Sequence, residues 1–390
     1  MNALRPFQIS VPGDWSDAWL YMDELLLWDT EGYLFHIQLS KLTSQLRYEY
    51  SAEVAFAAEM LVFRSDWKGG IQSRAFQRVD SIADAIHNSI EMALQVGRFE
   101  IDPDSLIEGV PMERIPGRIL ATSVYAHHAF VASSSGLYEL NVNPRYLDRS
   151  EDLLQRLDVP VHHVTANYGA VSTSAFEDGL WFTPIDLDGS GSWLSGGPMQ
   201  RVAEYSRSTS TAARDLLNYT DDPVPDLFLA DAVNERRNER SRYPSWQVRG
   251  YRKSEENLAA AAARRFDVDE GSMRGRNIEV LGNSKFHLLV DNSGALELLD
   301  MKTANGLSLV ESNRAMASSS IDSSKLLSTH ALADGFALEF VDSVRLIDGR
   351  GVTEIVDGPV ANVRTFPGSR HFQDTLLAVR DADVLLVGLG

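Results

Sequence analysis

Thr122–Tyr138 reads TSVYAHHAFVASSSGLY and Thr165–Trp181 reads TANYGAVSTSAFEDGLW. Both carry Thr, then Tyr three residues on, then Gly eleven residues after the Tyr, then Leu and an aromatic residue, at a constant offset of 43. Each copy reads as short β-strands joined by turns rich in Gly, Asp, Asn and Ser, the residues that tolerate the positive φ of a tight hairpin. A repeated hairpin at fixed spacing is the mark of a modular fold, so the search widens to the whole chain.

YMDELLLWDTEGYLFHIQL is an earlier copy, with Tyr21 again eleven residues before Gly32. NSKFHLLVDNSGALELLDM turns at Gly294. Three looser copies are AEMLVFRSDWKGGIQSRAF, turning at Gly69 and Gly70, ADGFALEFVDSVRLIDG, turning near Asp342, and QDTLLAVRDADVLLVGL, turning near Asp381. The turns lie 37 residues apart from Gly32 to Gly69, 48 from Gly294 to Asp342 and 39 from Asp342 to Asp381. An antiparallel unit of three or four strands repeated every ~40–50 residues predicts an all-β chain folded as a β-propeller, because one such unit buries neither face alone. The count comes to seven blades, within bounds of six and eight. A pair of β-sandwiches also uses short strands, but the recurring Tyr-to-Gly spacing argues against it.

Two intervals between turns are long, and both hold helical sequence. VDSIADAIHNSIEMALQV sets Ile82, Ile86, Ile90 and Ala93 on one helical face. In KSEENLAAAAARRF, Ser254 is placed to cap, Glu255 and Glu256 suit the positive end, and Arg264 and Arg265 suit the negative end. Helical insertions are therefore expected near 78–97, 146–158 and 254–266. The whole of 1–390 is read as one propeller domain carrying a helical insertion at 78–105 and a long insertion at 195–275. That long insertion contains the Arg-rich segment, the second helix and a degenerate blade between Asp226 and Tyr251. FQISV at Phe7–Val11 is expected to complete the last blade, whose final strand is DVLLVGLG.

The chain resembles WD40-type and other bacterial propellers in layout over most of its length. The resemblance stops at architecture: the Gly-His and terminal Trp-Asp signature does not recur, and Trp28-Asp29 is the only Trp-Asp pair, placed before its hairpin turn. No specific family is implied.

Composition bounds the function. The 390 residues are 44% hydrophobic and 23% charged, with no cysteine, which excludes disulfides, thiolate nucleophiles and zinc–thiolate sites. No apolar run approaches the roughly 20 residues of a membrane helix, and MNALRPFQIS lacks the layout of a secretion signal, so a cytoplasmic protein without membrane partners is expected. Six Lys among 36 basic residues leaves an Arg skew typical of a high-GC bacterial genome. A net charge of −19 repels nucleic acid on average and favours solubility or a basic partner.

Tyr21, Tyr125 and Tyr168 fall at equivalent places at the end of a blade's first strand. They are read as packing residues between blades with satisfied hydroxyls rather than as an aromatic ring at one mouth. His127-His128 and His162-His163 are adjacent pairs in neighbouring units, but adjacent strand residues point to opposite faces and the pairs are not equivalent in the repeat, so no metal site is assigned. Asp186, Asp188 and Ser190 mimic the start of a calcium loop, yet its twelfth position is Gly197 where a bidentate Glu belongs. No enzyme motif and no cofactor signature was found, so no catalytic residue is assigned.

The distinctive local feature is NERRNERSRYPSWQVRGYRK, Asn234–Lys253, with six Arg and one Lys against two Glu, a local charge of +5. Tyr243, Trp246 and Tyr251 are interleaved. Arg with aromatics suits an acidic protein patch, where these residues are the usual hot spots, and also nucleic-acid backbones and bases. The partner-binding set is Arg236, Arg237, Arg240, Arg242, Tyr243, Trp246, Arg249, Tyr251 and Arg252. The leading reading is a non-enzymatic protein-interaction scaffold or accessory subunit of a larger bacterial assembly. An enzyme or small-ligand binder using a central channel is the alternative, and a nucleic-acid accessory subunit is the weaker one.

Overall fold

The computed structural model describes residues 6–64, 80–107, 114–143, 153–167, 169–185, 198–212, 214–222, 224–235, 245–273, 277–280, 286–290, 296–302, 308–311, 325–333 and 335–389. The chain divides into two compact units, Met1–Pro111 with Lys325–Gly390, and Met112–Ser324.

The first unit begins with Pro6–Pro12 (β1), Trp15–Tyr21 (β2), Glu24–Asp29 (β3) and Leu34–Gln38 (β4). Helices Leu39–Glu49 (α1), Ala52–Ala58 (α2) and Asp80–Val96 (α3) follow, with a π-helical turn at Glu59–Phe63 and a short strand Arg98–Glu100 (β5). The second unit holds Ile119–Tyr125 (β6), His128–Ser133 (β7), Gly136–Asn141 (β8), Leu154–Leu157 (β9), His163–Asn167 (β10), Ala170–Ser174 (β11), Leu180–Pro184 (β12) and Gln200–Ala203 (β13). It continues with Ser208–Ala212 (β14), Asp215–Tyr219 (β15), Asp226–Glu235 (β16), Ser245–Lys253 (β17), helix Leu258–Phe266 (α4), Asn277–Val280 (β18), Phe286–Val290 (β19), Leu296–Lys302 (β20) and Ser308–Glu311 (β21). The chain then re-enters the first unit with Leu326–Ala331 (β22), Phe336–Phe340 (β23), Ser343–Ile347 (β24), Val352–Asp357 (β25), Asn362–Thr365 (β26), Thr375–Val379 (β27) and Asp383–Leu389 (β28).

These strands form seven sheets among the described residues: six are antiparallel meanders of strands consecutive in the chain, and the seventh joins β26–β28 to β1 and β5. Five have four strands: β6–β9, β10–β13, β14–β17, β18–β21 and β22–β25. The β2–β4 sheet has three, and the last has five, in the order β26-β27-β28-β1-β5. The fold is all-β and of the β-propeller class. As expected from FQISV, β1 completes the last sheet, pairing antiparallel with β28 from Pro6↔Leu389 to Pro12↔Asp383.

Burial follows position within each sheet. In the β6–β9 sheet the middle strands β7 and β8 are buried along their whole length, while β9 is partly exposed. A strand buried on both faces needs apolar or internally satisfied residues throughout, which explains why HAFVAS and GLYELN lack an alternating pattern. Consecutive sheets of a unit share cores. Ala121, Phe130, Val164 and Val171 join β6–β9 to β10–β13, and Leu180, Leu216 and Phe228 join β10–β13 to β14–β17. In the first unit, Val344, Val356, Leu376 and Val387 join β22–β25 to the last sheet.

Polar bridges between first strands reproduce the sequence offset in space. Ser123 Oγ on β6 accepts from the Ala166 amide on β10 at 3.0 Å, a separation of 43 residues. Asn167 on β10 in turn donates to Thr211 on β14 at 3.4 Å, a separation of 44. The recurring Gly has a matching cause. Gly136 and Gly179 adopt positive φ, +147° and +99°, and a Cβ on either would strike a backbone carbonyl of the outermost strand region, that of Leu157 or Ala203. In both sheets the register of the outer pair shifts just after this Gly, between Leu137 and Tyr138 and between Leu180 and Trp181.

Four expectations are corrected. The helix near 146–158 is absent where the chain is described: Leu154–Leu157 is strand β9, paired with β8, because leucines at helical spacing also serve a sheet edge when a partner strand is in reach. The copy AEMLVF is not a hairpin but the end of α2 and the π-helical turn. Its Ala-rich approach is a strong helix former started by Ser51, whose side chain accepts from the Val54 amide at 3.2 Å; Gly69 and Gly70 lie outside the described residues. The degenerate blade expected between Asp226 and Tyr251 within 195–275 is larger than read: the four-stranded β14–β17 sheet runs from Ser208 to Lys253, beside β13 and α4. Finally, α4 starts later than read, and Asn257, not Ser254, caps it by accepting from the Ala260 amide at 2.7 Å. The 78–105 stretch contains α3 and then β5, which lies parallel to β1 from Gln8↔Arg98 to Ser10↔Glu100.

Because Gly179 combines positive φ with a backbone neighbour that cannot move aside, Gly179→Ala is expected to destabilise the protein by about 2–3 kcal/mol. Urea unfolding of the two proteins measures the difference, and an unchanged midpoint contradicts this account of the repeat.

Candidate functional site

The strands that carry the Arg-rich segment are the longest of their sheet. β16 has ten residues and β17 nine. β15 covers only the first three residues of β16, pairing Asn218↔Asp226, Leu217↔Leu227 and Leu216↔Phe228. From Leu229 to Glu235, β16 pairs among the described residues with β17 alone. At ~3.3 Å per residue, these seven residues form a two-stranded ribbon extending roughly 20 Å beyond the part of the sheet backed by β15.

An isolated two-stranded ribbon is marginal in water, so its base must be held. Ala230, Ala232, Val248 and Tyr251 pack against Ala170, Phe182 and Val202 of the β10–β13 sheet. The Tyr251 ring meets Phe182 edge-on, with centroids 4.9 Å apart and planes at 83°. Its hydroxyl donates to the Arg214 carbonyl at 3.3 Å, and burial pushes the phenol well above its usual pKa. Lys253 closes the root with an exposed ion pair to Asp226 at 2.7 Å, a contact of small energetic weight at such exposure. The register shifts between Asp231 and Ala232, leaving Arg249 as the extra residue of a bulge. Bulges re-aim side chains and increase twist, and Arg249 is exposed here, as is Arg252.

The sequence-derived set thus separates. Arg249 and Arg252 stand exposed on the described part of the ribbon. Trp246 lies on β17 opposite Asn234. Arg236, Arg237, Arg240, Arg242 and Tyr243 lie outside the described residues. Tyr251 anchors the ribbon to the neighbouring sheet, so its ring is engaged inside the protein rather than offered to a partner; the sequence pattern of interleaved aromatics could not distinguish anchor from display.

The other candidates resolve as follows. Tyr125 packs between two sheets, and its hydroxyl accepts from the Gly169 amide of the next hairpin at 3.2 Å. Tyr21 closes β2, while Tyr168 lies outside the described residues, as does the loop of Asp186, Asp188 and Ser190. His127 sits in the tight turn after β6 with φ +70°. His162 stacks edge-on against Phe176 at 4.1 Å, and burial lowers its pKa. His163 meets Thr209 of the next sheet at 3.3 Å. Among the described residues no group of three or more His, Asp or Glu is arranged to hold a metal ion.

Three His–Glu contacts were not foreseen, and they share a geometry. His36 lies 3.1 Å from Glu24, His128 2.8 Å from Glu139 and His330 3.1 Å from Glu339. In each the Glu lies two residues along from the residue facing the His across the strands: Leu26, Asn141 and Ala337 respectively. These are diagonal cross-strand pairs on one sheet face. The third includes Ser328, whose Oγ donates to Glu339 Oε2 at 2.6 Å and lies 2.6 Å from His330 Nε2. Both the hydroxyl and the carboxylate meet the same ring nitrogen. A nucleophile relay instead requires the serine and the acid on opposite nitrogens, so this trio is a packing network. Burial pushes the Glu339 carboxyl up, but hydrogen bonds from His330 and Ser328 and the charges of His330 and Arg364 outweigh it and hold the carboxyl below its usual range. Arg364 also binds Asp17 at 2.7 Å and covers the Trp19 ring at 5.7 Å, tying three sheets of the first unit together.

No protein-family model and no curated protein matches this chain. Among solved structures it is similar to the β-propeller domain of Cps50 (Swd1) from Myceliophteria thermophila, at 8% identity over 97% of this chain and 99% of that one, with a TM-score of 0.49. It is similar to the WD40 β-propeller domain of Doa1, at 8% identity over 96% and 93% and a TM-score of 0.45. It is also similar to the computationally designed Ika8 protein, at 8% identity over 99% and 100% and a TM-score of 0.42.

Two outcomes follow from the geometry. Tyr251→Ala should destabilise the protein by about 2–3 kcal/mol. Glu339 has a depressed folded pKa, so its stabilisation is present above the ordinary carboxylate value and is lost as pH falls through the folded one. Glu339→Gln should therefore lower stability near neutral pH and flatten the decline as pH falls from neutral through and below the ordinary carboxylate range. Urea titrations across that range read both effects, and an unchanged acid limb contradicts the assigned network.

Proposed function

We propose that this chain is a non-enzymatic interaction module that holds an acidic protein partner through the β16–β17 ribbon. The observation that carries the reading is the ribbon itself: paired among the described residues only with each other from Leu229 onward, its strands frame the +5 segment of a chain whose net charge is −19. The base of the ribbon is held against the neighbouring sheet by Tyr251 and Val248. Arg236, Arg237, Arg240 and Arg242 would supply forked, bidentate contacts to carboxylates, Trp246 and Tyr243 an apolar hot spot, and Arg249 and Arg252 further positive charge along the ribbon. The role would be recognition and positioning within a larger assembly.

The test is affinity purification of the tagged protein from its own host at moderate salt, with quantitative mass spectrometry and the 260/280 nm absorbance ratio read on the eluate. Wild type should bring down a near-stoichiometric partner of acidic surface, free of nucleic acid. The variant carrying Arg236→Glu, Arg237→Glu, Arg240→Glu and Arg242→Glu should lose it by at least about tenfold, a change of roughly 1.4 kcal/mol or more, with an unchanged melting temperature. The same partner retained by the variant refutes the interface, and nucleic acid in the wild-type eluate redirects it to phosphate recognition.

A further inference from the structure

The helical segment of the first unit forms a concavity unrelated to the Arg-rich ribbon. It lies between the α1–α2 corner and the C-terminal end of α3, with a volume of about 330 Å³. Its floor is rigid. Phe99 of β5 is buried and stacks on Phe7 of β1 with centroids 5.1 Å apart. Tyr50 meets Phe99 edge-on at 5.0 Å, and its hydroxyl both donates to the Glu100 carbonyl at 2.8 Å and accepts from the Glu100 amide at 3.1 Å. The corner between α1 and α2 is therefore pinned to β5, and through β5 to β1.

The walls differ in chemistry. On α3, Ala93 is fully buried against the core, which turns Met92 and Val96 outward. They are 56% and 64% exposed and stand one helical turn apart, where i and i+4 side chains form a continuous stripe. An outward stripe of Met and Val beside a cavity with an aromatic floor is surface that water covers poorly. The opposite wall carries Glu49 and Glu53, and among the described residues no Lys or Arg lines the cavity. Arg98 is the nearest cation in the sequence, but it is turned to Asp383 at 2.8 Å and to Ser10 at 3.0 Å. Hydrogen bonds from its own backbone amide and from Ser51 hold the Glu53 carboxyl below the usual range, so it is ionised at neutral pH.

We infer that this groove docks a polypeptide segment that presents one large apolar side chain flanked by Lys or Arg. The volume is at the small end of ligand pockets and accepts one such anchor onto Tyr50 and Phe99. Flanking Lys or Arg side chains lay their methylene stems along Met92 and Val96 and reach the carboxylates of Glu49 and Glu53 with their charged ends. The acidic wall disfavours anionic lipid, and so does the −19 chain. Met at the rim suits a groove that receives more than one anchor shape.

The full-length protein is used to select binders from displayed libraries of short random peptides, and enriched peptides are synthesised and titrated by fluorescence anisotropy. Peptides with an apolar anchor between Lys or Arg residues are expected. Their affinity should drop about tenfold or more with Val96→Glu and separately with Glu49→Lys plus Glu53→Lys, and should weaken with salt. Val96 is exposed, so its substitution tests binding without disturbing the core; a matching melting temperature and an intermediate loss with Val96→Ala verify this. The inference is overturned if nothing is enriched, if enriched peptides lack basic residues, or if they bind both variants as they bind wild type. A wild-type dimer that Val96→Glu dissociates assigns the groove to a second copy of the chain and overturns it equally.

Discussion

The antiparallel pairing of β1 with β28 is the interaction on which the first unit depends. It joins residues near the two ends of the chain, from Pro6↔Leu389 to Pro12↔Asp383. β28 is buried along its whole length and cannot leave one edge unpaired without exposing a row of backbone groups. β1 satisfies that edge, and β5 then adds in parallel on the far side of β1. A charge cluster around the buried Asp383 marks the junction: Asp383 accepts from Ser10 at 2.5 Å, from Arg98 at 2.8 Å and from Arg380 at 2.8 and 2.9 Å. Burial raises its pKa, but these partners outweigh that and hold the carboxyl below its usual range. The junction thus also positions the helical segment, whose π-helical turn accepts from Thr375 through the Val62 carbonyl at 2.5 Å.

Sheets buried on both faces impose a second demand, that polar side chains inside them find partners across the sheet or in the next one. Diagonal His–Glu pairs meet the demand within a sheet. Ser123, Tyr125 and Asn167 meet it between sheets. The Arg364 guanidinium on β26 meets it towards two other sheets, binding Asp17 on β2 while lying close enough to Glu339 on β23 to lower its pKa. Each buried polar group is costly when left alone and specifying when paired, so these contacts select how one sheet seats on its neighbour.

The two proposed surfaces differ in how they could be read. The charge and aromatic content of Asn234–Lys253 stand out in the sequence. Its placement on a ribbon does not, because nothing local says that β15 ends after three pairs with β16. The contact of Tyr251 with Phe182 was hidden for the same reason: display and anchoring use the same residue type, and only the position of Phe182 in the neighbouring sheet shows the anchor. The groove at Tyr50 and Phe99 is built from residues of α1, α2, α3 and β5, none of which forms a motif in the sequence.

What the sequence by itself determined is periodic or local. The Tyr-to-Gly spacing, the turn residues and the terminal strand set the propeller class and its closure, because strand and turn preferences act within a few residues. The Ile and Ala positions of Asp80–Val96 likewise marked α3, of which Ala93 is fully buried. The tertiary structure decided what depends on neighbours distant in the chain. It made Leu154–Leu157 a strand through the edge of β8. It made Glu59–Phe63 a helical turn on β27 rather than half of a hairpin. It turned Met92 and Val96 outward by burying Ala93 beside them. In each case the local pattern allowed two answers, and packing against a distant strand chose between them.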